Sequence, residues 1–457
     1  MNDSFKRVQS RGYSGFARVL TIAAMLLLTA ATGAWAQTET YTVRMKKGTK
    51  DADKWTVTPA NATTTGVMKD TPVSLTYGGR LKVKDVAAKF AIIDLSEVTE
   101  DTSIEDGYTI TGTLDGKTQP YKISIADGAT VTLDGVNING VNSESYKWAG
   151  LTCEGSATII LKHGSTNTVR GFHEDYPGIL VPSGKTLIIK GEAAGTGALT
   201  ASPFDGGGNY SYGAGIGGDY NSDCGNIEIQ GGNITATGGY KAAGIGGGKE
   251  GACGTITISG GTITATGGIY AAGIGNGADG SSCDGITISG GNITAKGGDY
   301  AAGIGSGYYG SSCGDITISG GTITATGGNW AAGIGSGYDG ASGDITISGG
   351  TITATGGMLA AGIGSGHSNG LPGDPISLCG TISITTGVTK VTATKGDIAD
   401  NSIGAGKNST CGKVTIGCTL DGGGNPVDGT EYWDGSGYQN GGNTYLQQDT
   451  ITYEPSN

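Results

Sequence analysis

The chain has 457 residues, of which 91 are glycine and only five each are phenylalanine and methionine. A helix-rich enzyme core is not expected, because glycine weakens helices and brings no side chain to bury. Glycine does not recur at every third position, which excludes collagen. The formal net charge is −12 and no basic stripe is present, so nucleic acid and anionic membranes are not expected partners.

The first 36 residues have the three parts of a secretory signal peptide. Residues 1–18 are polar and basic, residues 19–31 are apolar except for two threonines, and Ala34-Trp35-Ala36 has the small-x-small pattern of a cleavage site. The apolar stretch is too short to span a bilayer, and no transmembrane segment follows. We expect Gln37 to begin the mature chain and the protein to be exported, to the outside, the cell surface or the periplasm. Cleavage removes four basic residues and one acidic residue, and it leaves 24 basic and 39 acidic residues, a net charge of −15.

Residues 37–94 precede the repeats and have a different composition. Thr40–Arg44, Lys54–Val57 and Val73–Tyr77 have the residue types of short strands, and Lys82–Lys89 is a lysine-rich join. We predict a small N-terminal β module or a leader that shields the first repeat.

A unit of 29 or 30 residues recurs through the centre of the chain. The isoleucine of its A-G-I-G motif falls at Ile216, Ile245, Ile274, Ile304, Ile334 and Ile363. Fainter copies occur earlier, and a later copy ends at Ile403 after an insertion. We assign residues 95–417 to the repeats.

Each unit alternates with period two, which predicts strands with one face buried. Ile256, Ile258, Ile263 and Ala265 are expected to point inward, and the intervening threonines outward. One unit is too small to enclose a core, so successive coils must stack their isoleucines. The sequence therefore predicts an all-β fold, a right-handed parallel β-helix with one coil per 29–30 residues. A propeller blade needs about 40 residues, and a sandwich does not repeat residue for residue.

Residues 418–457 lack the repeat and contain Tyr432-Trp433-Asp434-Gly435 and Tyr445-Leu446. An open end of a solenoid is an aggregation hazard, so we predict that this segment is a C-terminal cap.

Several segments carry a resemblance to a known group of proteins. AAGIGSG, GDITISGGTITATGG, YPGILVPSGKTLIIKG and both ends of the mature chain resemble secreted glycine-rich right-handed parallel β-helix proteins of gut-type anaerobic bacteria. Those proteins are often described as carbohydrate-binding, which implies a polysaccharide partner here. Their shape is similar to that of pectate-lyase-like helices, some of which are enzymes and some only binders.

Two positions of the repeat vary while the rest is constant. The residue before A-A-G-I and the residue four positions after its isoleucine define column A and column B. Column A holds Tyr212, Lys241, Tyr270, Tyr300, Trp330 and Leu359, and column B holds Tyr220, Lys249, Ala278, Tyr308, Tyr338 and His367. Polar-tipped aromatic residues on a rigid face are typical of sugar-binding platforms, and the alternative is a stack that merely covers neighbouring coils. With the resemblance, the predicted ligand-binding residues are Tyr270, Tyr300, Trp330, Tyr308 and Tyr338.

Six cysteines also occupy equivalent positions before the strands: Cys224, Cys253, Cys283, Cys313, Cys379 and Cys411. Ser342 takes the same place in another copy. Disulfides between coils suit an oxidising compartment, but side chains in register point in parallel, which strains the bond. The sequence therefore favours an inward stack of small side chains over a disulfide staple.

Groups suited to catalysis are few. The stretch from Arg170 to Asp175 contains His173, Glu174 and Asp175, and we interpret these as residues of a loop between early coils, without a catalytic role. No cofactor is expected, although aspartates near turns leave calcium open; these are Asp205, Asp219, Asp223, Asp284, Asp315 and Asp344. The leading hypothesis is a monomeric, non-catalytic polysaccharide-binding protein. The alternatives are an adhesin or surface stalk without a sugar site, a polysaccharide lyase or glycoside hydrolase, and an ice-binding protein with a flat threonine face.

Overall fold

The computed structural model describes residues 92–455, except 193–196, 205–209, 372–374 and 434–444, and the backbone of six strands before residue 92. These residues belong to two compact units, 1–93 with 106–110, and 94–105 with 111–457. In the first unit the strands form two antiparallel sheets of three. Their bounds are Leu26–Ala31, Thr40–Met45, Trp55–Thr58, Val67–Met68, Val73–Tyr77 and Leu81–Val86.

Two features of the first unit bear on the sequence-based expectations. The lysine-rich segment Lys82–Lys89, expected to be a join, overlaps the strand Leu81–Val86, because Lys82 and Lys84 alternate with Leu81, Val83 and Asp85 at the period of a strand. Leu26–Ala31, inside the expected signal peptide, pairs with Thr40–Met45. The rest of residues 1–36 lies outside the described residues, and removal of this segment stays a prediction.

The second unit is built from three parallel ladders, each named here by its repeat motif. The AGIG ladder has eleven short strands in the described residues, each paired in parallel with the next. These are Thr102–Ile104, Ile123–Ile125, Leu151–Cys153, Ile179–Leu180, Ile216–Gly217, Ile245–Gly246, Ile274–Gly275, Ile304–Gly305, Ile334–Gly335, Ile363–Gly364 and Ile403–Gly404. The isoleucine of each motif pairs with the isoleucine of the next coil, as Ile274 does with Ile304.

The ITIS and ITAT ladders form the other walls. The ITIS strands are Ala157–Leu161, Thr186–Gly191, Asn226–Ile229, Ala252–Ile258, Ser282–Ile288, Ala341–Ser342, Leu378–Cys379, Ile382–Thr385, Thr410–Cys411 and Val414–Leu420. The ITAT strands are Thr166–Arg170, Ala198–Ser202, Asn233–Thr237, Thr262–Thr266, Asn292–Lys296 and Lys390–Thr394. Ala129–Asn139, Ser312–Thr326 and Ile345–Thr355 are long enough to contribute to both ladders.

The interior is a column of aliphatic side chains. Ile256, Ile258, Ile263 and Ala265 are fully buried, whereas Thr262 and Thr264 are exposed. The predicted inward and outward faces are therefore confirmed, as is the all-β architecture of stacked parallel strands. The hand of the coil stays a prediction.

The second glycine of A-G-I-G is required because successive coils lie close together. Gly305 has φ +134°, and a Cβ built on it would collide with the carbonyl oxygen of Gly335 in the next coil. Only a residue without a side chain allows the backbones to approach so closely.

Antiparallel strands cover the last coils. Thr450–Tyr453 pairs with Lys390–Thr394, and Thr430–Trp433 pairs with Val414–Leu420. Pro426–Val427, Ile92–Asp94 and Thr109–Asp115 are the remaining strands, and Leu95–Glu97 and Tyr445–Gln447 are short 3-10 helices. An antiparallel partner ends a parallel ladder. It pairs with the N–H and C=O groups of the edge strand, and it does not present the repeat pattern to which a further coil could add.

The cysteine column contains one disulfide. Cys224 and Cys253 are bonded, with their Cα atoms 4.6 Å apart, so the expectation of a column of unlinked side chains is wrong at this pair. Cys224 lies outside a regular strand and meets Cys253 at an isolated parallel bridge, so a parallel orientation does not prevent this bond. Cys283, Cys313, Cys379 and Cys411 are buried and lie outside this disulfide, as do Cys153 and Cys418.

Candidate functional site

The five predicted ligand-binding residues lie side by side in the structure. In column A the ring centroids of Tyr270 and Tyr300 are 5.0 Å apart with planes at 10°, and those of Tyr300 and Trp330 are 6.2 Å apart at 4°. In column B, Tyr308 and Tyr338 stack at 5.6 Å and 17°. Each column is thus a face-to-face stack that runs from coil to coil.

The two columns also contact each other. Tyr270 and Tyr308 have ring centroids 5.0 Å apart, and Tyr300 and Tyr338 are 5.8 Å apart. His367 joins the end of both columns, 5.5 Å from Trp330 and 5.6 Å from Tyr338. We call these six side chains the aromatic cluster: Tyr270, Tyr300, Trp330, Tyr308, Tyr338 and His367.

Backbone hydrogen bonds hold the columns in register. The N–H of Tyr308 donates to the carbonyl oxygen of Tyr270 at 3.0 Å, and the N–H of His367 donates to that of Trp330 at 2.8 Å. A column B residue is therefore fixed against the column A residue of the preceding coil, whatever its side chain is.

A ladder of buried side chains fixes the same loop from the inside. The Ser306 hydroxyl accepts the N–H of Gly337 at 3.0 Å, and the Ser336 hydroxyl accepts the N–H of Gly366 at 3.1 Å. Asn276 does the same for Gly307 at 3.1 Å. Each of these glycines immediately precedes a column B residue. Sequence reasoning missed this role of the serine in AGIGSG, although its recurrence in the motif was visible.

The stacking changes the kind of surface that the aromatic cluster offers. All five predicted residues are half-buried, and within each column the ring faces cover one another. A platform of open ring faces is therefore not what the structure forms. The cluster presents ring edges and phenol hydroxyls, with the exposed Tyr309 ring beside Tyr308 at 5.6 Å.

The phenols of Tyr270 and Tyr308 are held in the neutral form. A hydrogen bond with Tyr240 and burial raise the pKa of Tyr270 to about 12. Burial, followed by the nearby Asp339 and Asp279 carboxylates, raises the pKa of Tyr308. These hydroxyls remain protonated well above neutral pH, so each can both donate and accept hydrogen bonds.

Charged residues border the aromatic cluster at one end. The Lys241 ammonium lies 5.3 Å from the Tyr270 ring centroid and 2.6 Å from the Asp279 carboxylate. Lys249 lies 4.6 Å from the Tyr220 ring centroid and pairs with Glu250. Tyr212 and Tyr220, with rings 5.3 Å apart, form a smaller aromatic pair beyond these lysines.

The candidate catalytic stretch is occupied by structural contacts. His173 is 2% exposed, and its two ring nitrogens lie 3.5 Å from the carboxylates of Glu144 and Asp175. Glu174 exchanges hydrogen bonds with Asn142. Burial raises the pKa of Asp175.

Several of the aspartates considered for calcium bind backbone N–H groups of the next coil. Asp223 accepts from Ala252 at 2.9 Å, and Asp315 accepts from Asp344 at 2.9 Å. Asp205 lies outside the described residues. Among all the described residues, no three His, Cys, Asp or Glu side chains are grouped so that they could hold a metal ion.

Comparison with known proteins identifies the repeats. The family model described as beta helix repeat matches residues 227–249, 256–278, 286–308, 316–338 and 345–367. These segments of the chain are similar to beta helix repeats, in agreement with the stacked parallel strands, and they contain the whole aromatic cluster. No curated protein and no solved structure matches the chain. No helix among the described residues is long and apolar enough to cross a membrane.

Proposed function

We propose that this protein is an exported, non-catalytic β-helix that binds a polysaccharide along the aromatic cluster. A chain of sugars would lie across successive coils and meet the same ring edges and hydroxyls at each step. The observation that carries the proposal is that the cluster is not needed by the scaffold that holds it.

The scaffold tolerates other residues at the same positions. Column B holds Ala278 in one coil and column A holds Leu359 in another, and their main chains make the same bonds to the preceding coils. The N–H of Ala278 donates to the carbonyl oxygen of Lys241 at 3.1 Å, as Tyr308 does to Tyr270. Six neighbouring aromatic residues on such a scaffold are therefore better explained by a ligand than by folding.

The chemistry of the cluster favours a neutral polysaccharide. The phenols of Tyr270 and Tyr308 stay protonated and match the hydroxyl groups of sugars as donors and acceptors. The nearest lysine, Lys241, is already paired with Asp279. The chain as a whole is acidic, which repels an acidic polysaccharide unless a cation such as calcium bridges the two.

The carboxylates near the cluster have structural partners, which supports a binding role without catalysis. Asp339 is fully buried and accepts the hydroxyl of Ser368 at 2.7 Å. Asp279 pairs with Lys241 and lies 3.9 Å from Lys249. A glycoside hydrolase needs two carboxyl groups that face the same glycosidic bond.

Affinity gel electrophoresis tests the proposal, with neutral and acidic polysaccharides in the gel and with or without calcium. The wild-type protein should be retarded by a neutral polysaccharide. The triple variant Tyr300→Ala, Trp330→Ala and Tyr308→Ala should lose this retardation, with each contact worth roughly 1 kcal/mol. The double variant Tyr308→Phe, Tyr338→Phe removes two hydroxyls and keeps both rings. It therefore separates the contribution of the hydroxyls from that of the rings.

A matched control changes three exposed threonines of the ITAT ladder to alanine: Thr264, Thr294 and Thr324. This variant should migrate like the wild type, and circular dichroism should show the same strand content for all variants. If the folded wild type is retarded by no polysaccharide under any condition, the adhesin or stalk hypothesis replaces this one. Release of reducing ends from the polysaccharide would instead support a hydrolase or lyase.

A further inference from the structure

The cysteine column continues beyond its one disulfide in strict register. Cys253 pairs with Cys283, Cys283 with Cys313, and Cys379 with Cys411, each as Cα partners on adjacent parallel strands. Strands in a sheet lie about 4.8 Å apart, and the bonded pair Cys224–Cys253 has a Cα separation of 4.6 Å. Both values fall in the range over which a disulfide can form.

The remaining thiols of the column interact in two pairs. Cys313 shares a hydrogen bond with Cys283, and this bond, together with burial, raises the pKa of the Cys313 thiol well above its usual value. Cys411 shares a hydrogen bond with Cys379 with the same effect on its pKa. The thiols are 3–5% exposed as whole residues, so each pair is enclosed between its coils.

Ser342 divides the cysteine column into two groups, and each group has an even number of cysteines. It pairs with Cys313 on one side and with Cys379 on the other. Four cysteines therefore precede it and two follow it. Once Cys224 is bonded to Cys253, Cys283 has only Cys313 as a neighbour, and Cys379 has only Cys411.

We propose that Cys283–Cys313 and Cys379–Cys411 form two further disulfides, so that three covalent links join successive pairs of coils. Each pair gives up two electrons and two protons, and a new S–S bond joins its sulfurs. A disulfide compound such as oxidised glutathione takes up these electrons and protons, its S–S bond breaks, and two thiols are released. Because the folded thiols are buried, the exchange occurs while the coils close.

The first of these links concerns the candidate site directly. The segment between Cys283 and Cys313 contains Tyr300 and Tyr308, so this disulfide ties together the two ends of the coil that carries them. The proposal does not depend on polysaccharide binding, and its test uses no ligand.

The experiment is disulfide mapping of the full chain, refolded from the reduced and unfolded state in a glutathione redox buffer. The protein is alkylated under denaturing conditions and digested with trypsin and Asp-N, which together separate all eight cysteines. The expected result is linkage of Cys283 to Cys313 and of Cys379 to Cys411, with alkylation of Cys153 and Cys418 alone. Alkylation of Cys283, Cys313, Cys379 and Cys411, or linkage of Cys253 to Cys283, would overturn the proposal.

Two variants sharpen the test. Cys283→Ser should expose Cys313 to alkylation and leave Cys379–Cys411 linked, whereas Cys153→Ser, outside the column, should change no linkage. Ser342→Cys gives the column an odd number of cysteines, and one alkylated cysteine in the column should then appear. If Ser342→Cys leaves no such thiol in the monomer, the cysteines of the column do not pair in the proposed way.

Discussion

The main-chain N–H of Tyr338 donates a 2.9 Å hydrogen bond to the carbonyl oxygen of Tyr300, which lies one coil earlier. Their rings meet edge-to-face, with centroids 5.8 Å apart and planes at 83°. The position of each ring is thus set by the backbone of two successive coils. The cluster is preorganised, and a ligand would not have to order it.

The first prediction concerns the isoleucine ladder. Ile304 is fully buried, so Ile304→Asp places an unpaired charge among apolar side chains and should cost about 4 kcal/mol or more. Thr324 is exposed, and Thr324→Asp should change the free energy of unfolding by about 1 kcal/mol or less. Chemical denaturation measures both, with Ile304→Val as the control at about 1 kcal/mol. Equal losses for the two aspartate variants would mean that the faces are assigned wrongly.

The buried serines give a second prediction, in which two similar substitutions have different effects. Ser306→Ala leaves the N–H of Gly337 without its acceptor inside the coil, and it should cost about 1–3 kcal/mol. The Ser342 hydroxyl is buried and has no hydrogen-bond partner, so Ser342→Ala should be neutral or stabilising. Thermal unfolding measures the difference, and a larger loss for Ser342→Ala would contradict this account of the ladder.

The third prediction is that the second glycine of A-G-I-G cannot be replaced without a large loss of stability. Gly305→Ala forces a Cβ into the carbonyl oxygen of Gly335, in addition to the cost of a left-handed backbone, so the destabilisation should exceed about 4 kcal/mol. Gly280 also has a positive φ, of +83°, but nothing lies near its Cβ position. Gly280→Ala should therefore cost only about 1–2 kcal/mol. Similar unfolding midpoints for the two variants would refute the steric argument.

The fourth prediction follows from the raised pKa of Tyr270. An unfolded tyrosine has a pKa of about 10, and the folded value is about 12, so the folded state holds this proton more tightly. The contribution to stability is complete below pH 10 and is lost as the pH rises from 10 to 12. Tyrosinate absorbance at 295 nm, compared with that of Tyr270→Phe, should show this phenol ionising near pH 12. Ionisation of Tyr270 near pH 10 would count against the hydrogen bond with Tyr240.

Much of the scaffold could be predicted from the sequence, because its determinants are local and repeated. The spacing of 29 or 30 residues and the alternation of Ile256 and Ile258 with Thr257 define the coil and its buried face. The same repetition placed Tyr300 and Trp330 in one column and Tyr308 and Tyr338 in another. Stacking in register translates equal positions in sequence into neighbours in space.

Only the tertiary structure decided how the columns meet and what they expose. The N–H of Tyr308 donates to the carbonyl oxygen of Tyr270 in the preceding coil rather than to that of Tyr300 in its own coil. The ring faces cover one another because successive coils are about as far apart as stacked rings. The antiparallel strand Thr450–Tyr453 was likewise not predictable, because it depends on a local departure from the repeat. The period therefore determined which residues line up, and the packing between coils determined which atoms remain open to a ligand.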